Sequence, residues 1–323
     1  MLERRWRSSA SVWGLLVLVG WACRSPADSP KEPPPVEEAT APAPVQLTGV
    51  DTSALTSREA GKWREYVSEF LAPCSDQPVS IAQCVTESRA CPGCLPAAKF
   101  LVDRVRRGDT RTQAEEAYRA RFSPDTIKSI DLSGSPSKGA KSPVVTIVEW
   151  ADFECPHCGA TAPVLKELVE RYSDQVRLVF KHYPLSGHEH SDEAARAAVA
   201  AEQQGKFWPL EEALFASQKS GLDEANILKL AREAGLDMKS FDTARASEAT
   251  ADVVARDRKQ ADALGLTGTP MIYINGRYFA LEQFDVHQDL APWIELEIAM
   301  ATGSAPQAQA RPTSLGQPEA KKN

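Results

Sequence analysis

Residues 143–172 read PVVTIVEWADFECPHCGATAPVLKELVERY, and the fold turns on how that stretch is parsed. Its first eight residues are apolar and β-branched, as in a short buried strand. Beyond the two cysteines, Leu165, Leu168, Val169 and Tyr172 recur at helical spacing. A strand therefore runs into a helix, and Cys155 and Cys158 stand where the helix begins. Pro163 lies inside that helix and predicts a kink. A Cys-x-x-Cys pair serves as half a zinc site, a structural disulfide or a redox couple. The choice depends on the neighbouring elements, the compartment and the other cysteines.

Downstream, QVRLVFKHY (175–183) reads as a second strand. From Ser191 the chain turns alanine-rich and helical, with Ser191 the expected N-cap and two acids in the first turn. DEANILKLAREAGL is a further helix closed by Gly235. A longer one spans about 247–264, with Val253, Val254, Ala261 and Leu264 on one face. TPMIYINGRYF reads as a hairpin turning at Asn275-Gly276, and Phe284 to Met300 as a closing helix. The order predicts an α/β, thioredoxin-like domain over 140–300 with a helical insertion at about 187–246. Phe207, Trp208 and Phe215 are assigned to the insertion core.

The whole chain has 323 residues, 42% hydrophobic and 25% charged, with net charge −7. That is a soluble globular profile. No basic stripe with interleaved aromatics appears, which argues against nucleic acid as a partner. The N-terminus carries arginines at 4, 5 and 7, then an apolar run from Val12 to Ala22. That run has the length of a signal segment and is too short to span a bilayer. Cys23 follows it directly, as in a bacterial lipoprotein signal, which predicts lipidation there. Ordinary cleavage and a retained anchor are the other readings. Each exports the chain to an oxidising compartment, the periplasm or cell envelope. Residues 23–50 are rich in proline, alanine and acids and read as a tether, and 301–323 read as a similar tail.

Seven cysteines occupy positions 23, 74, 84, 91, 94, 155 and 158. With Cys23 set aside, proximity pairs Cys155 with Cys158 and Cys91 with Cys94, leaving Cys74 to Cys84. The last four lie in a helical module, 51–132, expected to hold about three helices. Cys91 and Cys94 precede a helix at 95–107 that Gly108 ends, and Asp109 or Thr110 caps the next. Over about 84–122, CPGC, a helix, RRGDT and a second helix resemble the thiol-bearing module of CcmH-type cytochrome c maturation proteins. The resemblance implies a second redox pair, Cys91 and Cys94. A structural disulfide and a four-cysteine zinc site using Cys74 and Cys84 remain open.

Four motifs, DFECPHCG, FKHYPLSGH, AARAAVAAEQQGKFW and GTPMIYING, occur in this order. Together they resemble the DsbA-like family of thiol-disulfide oxidoreductases. The resemblance implies that Glu149, six residues before Cys155, is a buried acid, and that Pro270 after Thr269 is a cis-proline facing the site. A thiolate at a helix start meets unpaired N–H groups and the positive dipole end, so Cys155 is expected to be solvent-facing, acidic and attacking. Pro156 and His157 form the dipeptide found in DsbA itself, and His157 is expected to add a hydrogen bond or positive charge. Cys158 is expected to be buried and resolving, with Glu149 relaying its proton through water. Pro270 is expected to leave a backbone edge open to an extended substrate. His182, His188 and His190 are the nearby candidates for completing a zinc site, but His188 falls where the family has a histidine, so neither metal nor cofactor is expected. The implied function is a membrane-tethered oxidant of secreted or periplasmic proteins, served by a membrane redox partner. The alternatives are a reductase or isomerase linked to cytochrome c maturation, Thr269 being common before the cis-proline of isomerases, and a non-enzymatic binding lipoprotein.

Overall fold

Two apolar runs make the centre of the sheet. In a computed structural model, which describes residues 45–302, they are β2 (Val145–Ala151) and β3 (Val176–His182). The two strands are parallel, pairing Ile147 with Leu178, Glu149 with Phe180 and Ala151 with His182. Helices cover both faces, so both strands are buried almost throughout instead of alternating between buried and exposed. β4 (Met271–Ile274) runs antiparallel on the other side of β2, and β5 (Arg277–Tyr278) pairs with it. A three-residue edge strand not read from the sequence, β1 (Ser137–Gly139), pairs antiparallel with β3. The order is β1-β3-β2-β4-β5. The β4–β5 turn has positive φ at both Asn275 and Gly276. A Cβ at Gly276 would stand 2.5 Å from the Lys128 carbonyl, so only glycine fits there.

The face carrying Ile147, Leu178, Ile272 and Ile274 packs beneath Leu165, Leu168 and Val169 of α5 (Pro156–Arg171). Leu290, Trp293 and Ile294 of α11 (Val286–Thr302) complete that layer. The opposite face, with Val148, Trp150, Val179 and Tyr273, meets Ala261 of α10 (Glu248–Ala263). Between β3 and α10 stand α6 (Ser191–Glu202), α7 (Phe207–Ala216), α8 (Glu224–Glu233) and α9 (Met238–Arg245). Buried alanines let α6 approach its neighbours closely, and Phe207 and Phe215 fill the block's core. Ser191 is not the cap of α6. It is the first helical residue, and its hydroxyl donates to Leu185 O (3.3 Å), leaving His190 at the cap position.

The N-terminal module has four helices where about three were expected: α1 (Ser57–Glu69), α2 (Ile81–Thr86), α3 (Cys94–Arg106) and α4 (Arg111–Phe122). Thr110 caps α4 and forms a capping box with Gln113. The cysteine pairing differs from the one read by proximity. The disulfides are Cys74–Cys91 and Cys84–Cys94. Cys74–Cys84 is therefore not a bond, and Cys91 and Cys94 are not a couple. The reason is packing: short α2 lies against α3, which sets Cys84 beside Cys94, while the loop before α2 brings Cys74 to Cys91. Module and sheet share a core, in which Phe100 and Ala117 pack on the Ile147 layer. All described residues fall within one compact unit. No described helix is long and apolar enough to cross a membrane. The signal segment 1–22, Cys23, and most of the proposed tether and tail lie outside the described residues.

Candidate active site

Cys155 occupies the N-cap position of α5 and Pro156 its first turn, where a missing N–H costs nothing. Three side chains hold the approach to that helix. Asp152, buried, accepts from Glu154 N (2.7 Å), Leu185 N (2.7 Å) and His188 Nδ1 (2.8 Å). Burial opposes charge on His188, but the bond to Asp152 outweighs it and its pKa is raised. Gln218, just beyond α7, donates through Nε2 to Phe153 O (2.8 Å) and Cys155 O (2.9 Å). A Cβ on Gly159 would come 2.3 Å from the amide oxygen of that pinned glutamine, which explains glycine after the second cysteine. Gln218 carries no sequence signal, because it lies some 60 residues downstream of the groups it holds.

Cys155 and Cys158 are free thiols in this structure. Cys155 was expected to face solvent; it retains only 4% exposure, because the Thr269–Pro270 segment lies against it. Its thiol donates to Thr269 O at 3.4 Å, and the Thr269–Pro270 peptide bond is cis. The Cys155 pKa falls to about 5. The largest cause is a hydrogen bond from Cys158, followed among the favourable ones by Thr269 and the backbone N–H groups of Cys158 and His157, all working against burial. The buried Thr269 hydroxyl has no hydrogen-bond partner among the described residues, which leaves it available to donate to a thiolate at Cys155. His157 thus acts through its main chain, and its imidazole is exposed. Pro156 is exposed beside it. Cys158, fully buried, is pushed the opposite way, by burial first and then by its bond to Cys155. One turn of helix therefore holds an acidic thiol and a strongly basic one.

Glu149 is 1% exposed and points to the face that α5 covers, the side of Cys158. Burial, with the charge of Glu211 next, raises its pKa to about 8. The histidines do not assemble a metal site. His182 is enclosed by Phe153, Phe180 and Phe207, and burial holds it neutral, near 4. His188 is bound to Asp152, and the His190 backbone N–H donates to Glu154 (2.7 Å). Among the described residues the one cluster with metal-ligand character is Cys84, Cys91 and Cys94, whose sulfurs lie within 4.8 Å of one another but are committed to disulfides.

A parallel β2–α5–β3 unit, a thiol pair at a helix start and a cis-proline opposite define the thioredoxin class. The family model described as Thioredoxin (Thioredoxin_4) matches residues 132–291. Over that span the chain is a domain of the thioredoxin family. Among curated relatives, the Na(+)/H(+) antiporter NhaA 3 of Salinispora tropica is 38% identical over 154 residues, 47% of this chain and 23% of that protein. The chain thus spans about a quarter of the length of the curated relatives it matches. Among solved structures, a thioredoxin-like oxidoreductase from Silicibacter pomeroyi is 31% identical with a TM-score of 0.45, covering 50% of this chain and 91% of that one. The thiol-disulfide exchange protein alpha-DsbA2 of Wolbachia pipientis is 21% identical with a TM-score of 0.45, covering 57% and 94%.

Proposed function

We propose that the protein is an exported thiol-disulfide oxidoreductase that oxidises thiols of secreted or periplasmic proteins. One observation carries the reading: the acidic Cys155 and basic Cys158 share one helical turn. Starting from the Cys155–Cys158 disulfide, a substrate thiolate attacks Cys155. The bond between the two cysteines breaks, Cys158 leaves with the electron pair, and it takes a proton from Glu149. A second substrate thiolate then attacks the substrate sulfur of the mixed disulfide, and Cys155 leaves as its stabilised thiolate. Two electrons pass to the enzyme. Because the thiolate is stabilised, the reduced enzyme is favoured and the pair is an oxidant. Each unit of pKa lowering contributes about 1.4 kcal/mol to that preference. A membrane redox partner regenerates the disulfide, and lipid on Cys23 tethers the chain; the apolar run before Cys23 supports the tether.

The test is trapping. Cys158→Ala, expressed in the exported compartment, should accumulate reductant-sensitive adducts on non-reducing gels, while Cys155→Ala should yield few. Equal trapping by both, or by neither, would favour a non-enzymatic binding lipoprotein.

A further inference from the structure

A second carboxyl stands close to the site, on an element that the exchange chemistry does not otherwise use. Glu211, on α7, is 3% exposed and makes no hydrogen bond or ion pair among the described residues. An unpaired buried carboxyl is costly, and in a site with titrating neighbours it points to a function. It is not sealed in. It lines a cleft of about 290 Å³ together with Lys138, Gly159, Pro163, Lys166 and Glu212. Gly159 adjoins Cys158, so the cleft runs from the surface to the helical turn that carries the resolving thiol.

The sheet register places the partner. Lys138 pairs with Leu178, which pairs with Ile147, and Glu149 lies two residues further along β2 on the same face. α5 covers that face and α7 packs on α5. Lys138 and Glu149 thus approach Glu211 from the sheet, and Lys166 from α5. Glu212 precedes the next turn of α7. Lys138 does not neutralise Glu211 by contact, because its ammonium sits 4.2 Å from the centre of the Trp208 ring.

We propose that Glu211 is a positioning residue of the exchange site, the cleft-facing partner of Glu149, whose charge governs when Glu149 holds a proton. This rests on the exchange reading above. The Cys155 thiolate attacks a small disulfide, breaking its S–S bond, releasing one thiolate and keeping the other half, a small thiol, as a mixed disulfide. Cys158 must then lose its proton to Glu149 and attack Cys155. The Cys155–Cys158 bond forms, and the small thiol leaves as thiolate and is protonated by solvent. Glu149 performs this only as a carboxylate. A charged Glu211 opposes that ionisation, and Lys138 assists it. Burial lifts Glu211 itself to about 7, so its charge changes near neutral pH.

The experiment exploits the opposite signs. Glu149 is titrated in the reduced full chain by carboxyl infrared or NMR signals, assigned with Glu149→Gln. In parallel, the pH profile for resolution of a glutathione mixed disulfide at Cys155 is recorded. Glu211→Gln should move the Glu149 titration and the resolution midpoint down by roughly one pH unit, the size of a like-charge effect in a buried site. Lys138→Met should move both up, and Glu211→Asp should stay near wild type. A structural role would not give opposite shifts. An unmoved Glu149 titration in Glu211→Gln overturns the proposal. Should that variant not fold, an unmoved or lowered titration in Lys138→Met does so. Should wild type form no mixed disulfide, the exchange reading fails, while the titration still decides the role of Glu211.

Discussion

At Cys155, the charge on the sulfur depends on which groups donate to it. Cys158 is the largest donor, Thr269 follows, and His157 offers only its backbone N–H. Cys158→Ala should therefore raise the Cys155 pKa most, Thr269→Val less, and His157→Ala least, as read by thiolate absorbance against pH. A His157→Ala shift exceeding that of Thr269→Val would restore the imidazole to the role that the dipeptide alone implies. The linkage has a definite sign. A thiol whose folded pKa is depressed contributes stability above its unfolded value and loses it as pH falls through the folded value. The reduced protein should thus gain melting temperature over the oxidised form as pH rises from about 5 toward 9. The thiol pair at its helix start was legible from spacing, and Glu149 was reached through the family resemblance. Gln218 and Glu211 were not, because each reaches the site from a helical block whose docking on α5 no local pattern encodes.

At the scale of elements, the two disulfides are the sharpest departure from local reading. Spacing favours closing the short CPGC ring, yet both of its cysteines bond to partners further back, at separations of 17 and 10 residues. Loops of this size confer ~3 kcal/mol each in the chain-entropy treatment. Non-reducing peptide mapping should recover the 74–91 and 84–94 links. Cys84→Ser with Cys94→Ser should lower the melting temperature and leave exchange at Cys155 unchanged. Recovery of a 91–94 link from native protein would return the pair to the relay role that the CcmH resemblance implies. The helix ends were easier to read: Thr110 caps α4 and Gly235 ends α8. Caps depend on a few adjacent residues, whereas disulfide choice depends on which helices lie side by side.

Across the whole molecule, module and sheet domain meet through a buried ion pair, Arg121 on α4 with Glu297 on α11, at 2.6 Å. Burial brings the Arg121 pKa down to about 10, against the attraction of Glu297. The other Glu297 oxygen accepts from Asn275 Nδ2 (2.9 Å), so the same carboxylate steadies the hairpin that follows Pro270. Arg121→Met should leave that carboxylate uncompensated and cost ~3–5 kcal/mol, as breaking one partner of a buried pair does. Adding Glu297→Leu should recover part of the loss. Thermal unfolding of wild type should show one transition for module and domain together. Two separate transitions would count against the shared core.

The sequence by itself determined the strand–thiol–helix unit, the hairpin and the order of elements, because these follow from periodicity, turn residues and caps over a dozen positions or fewer. It also put Cys155 and Cys158 at one helix start, while the expectations for Glu149 and Pro270 came from the resemblance to a known family. Only the tertiary structure decided the disulfide partners, the burial of Cys155 beneath Thr269, the edge strand β1 and the approach of Glu211. Each of these depends on two segments, distant in sequence, being pressed together, and the energy that does so is spread over cores to which no single segment contributes enough to be read in advance.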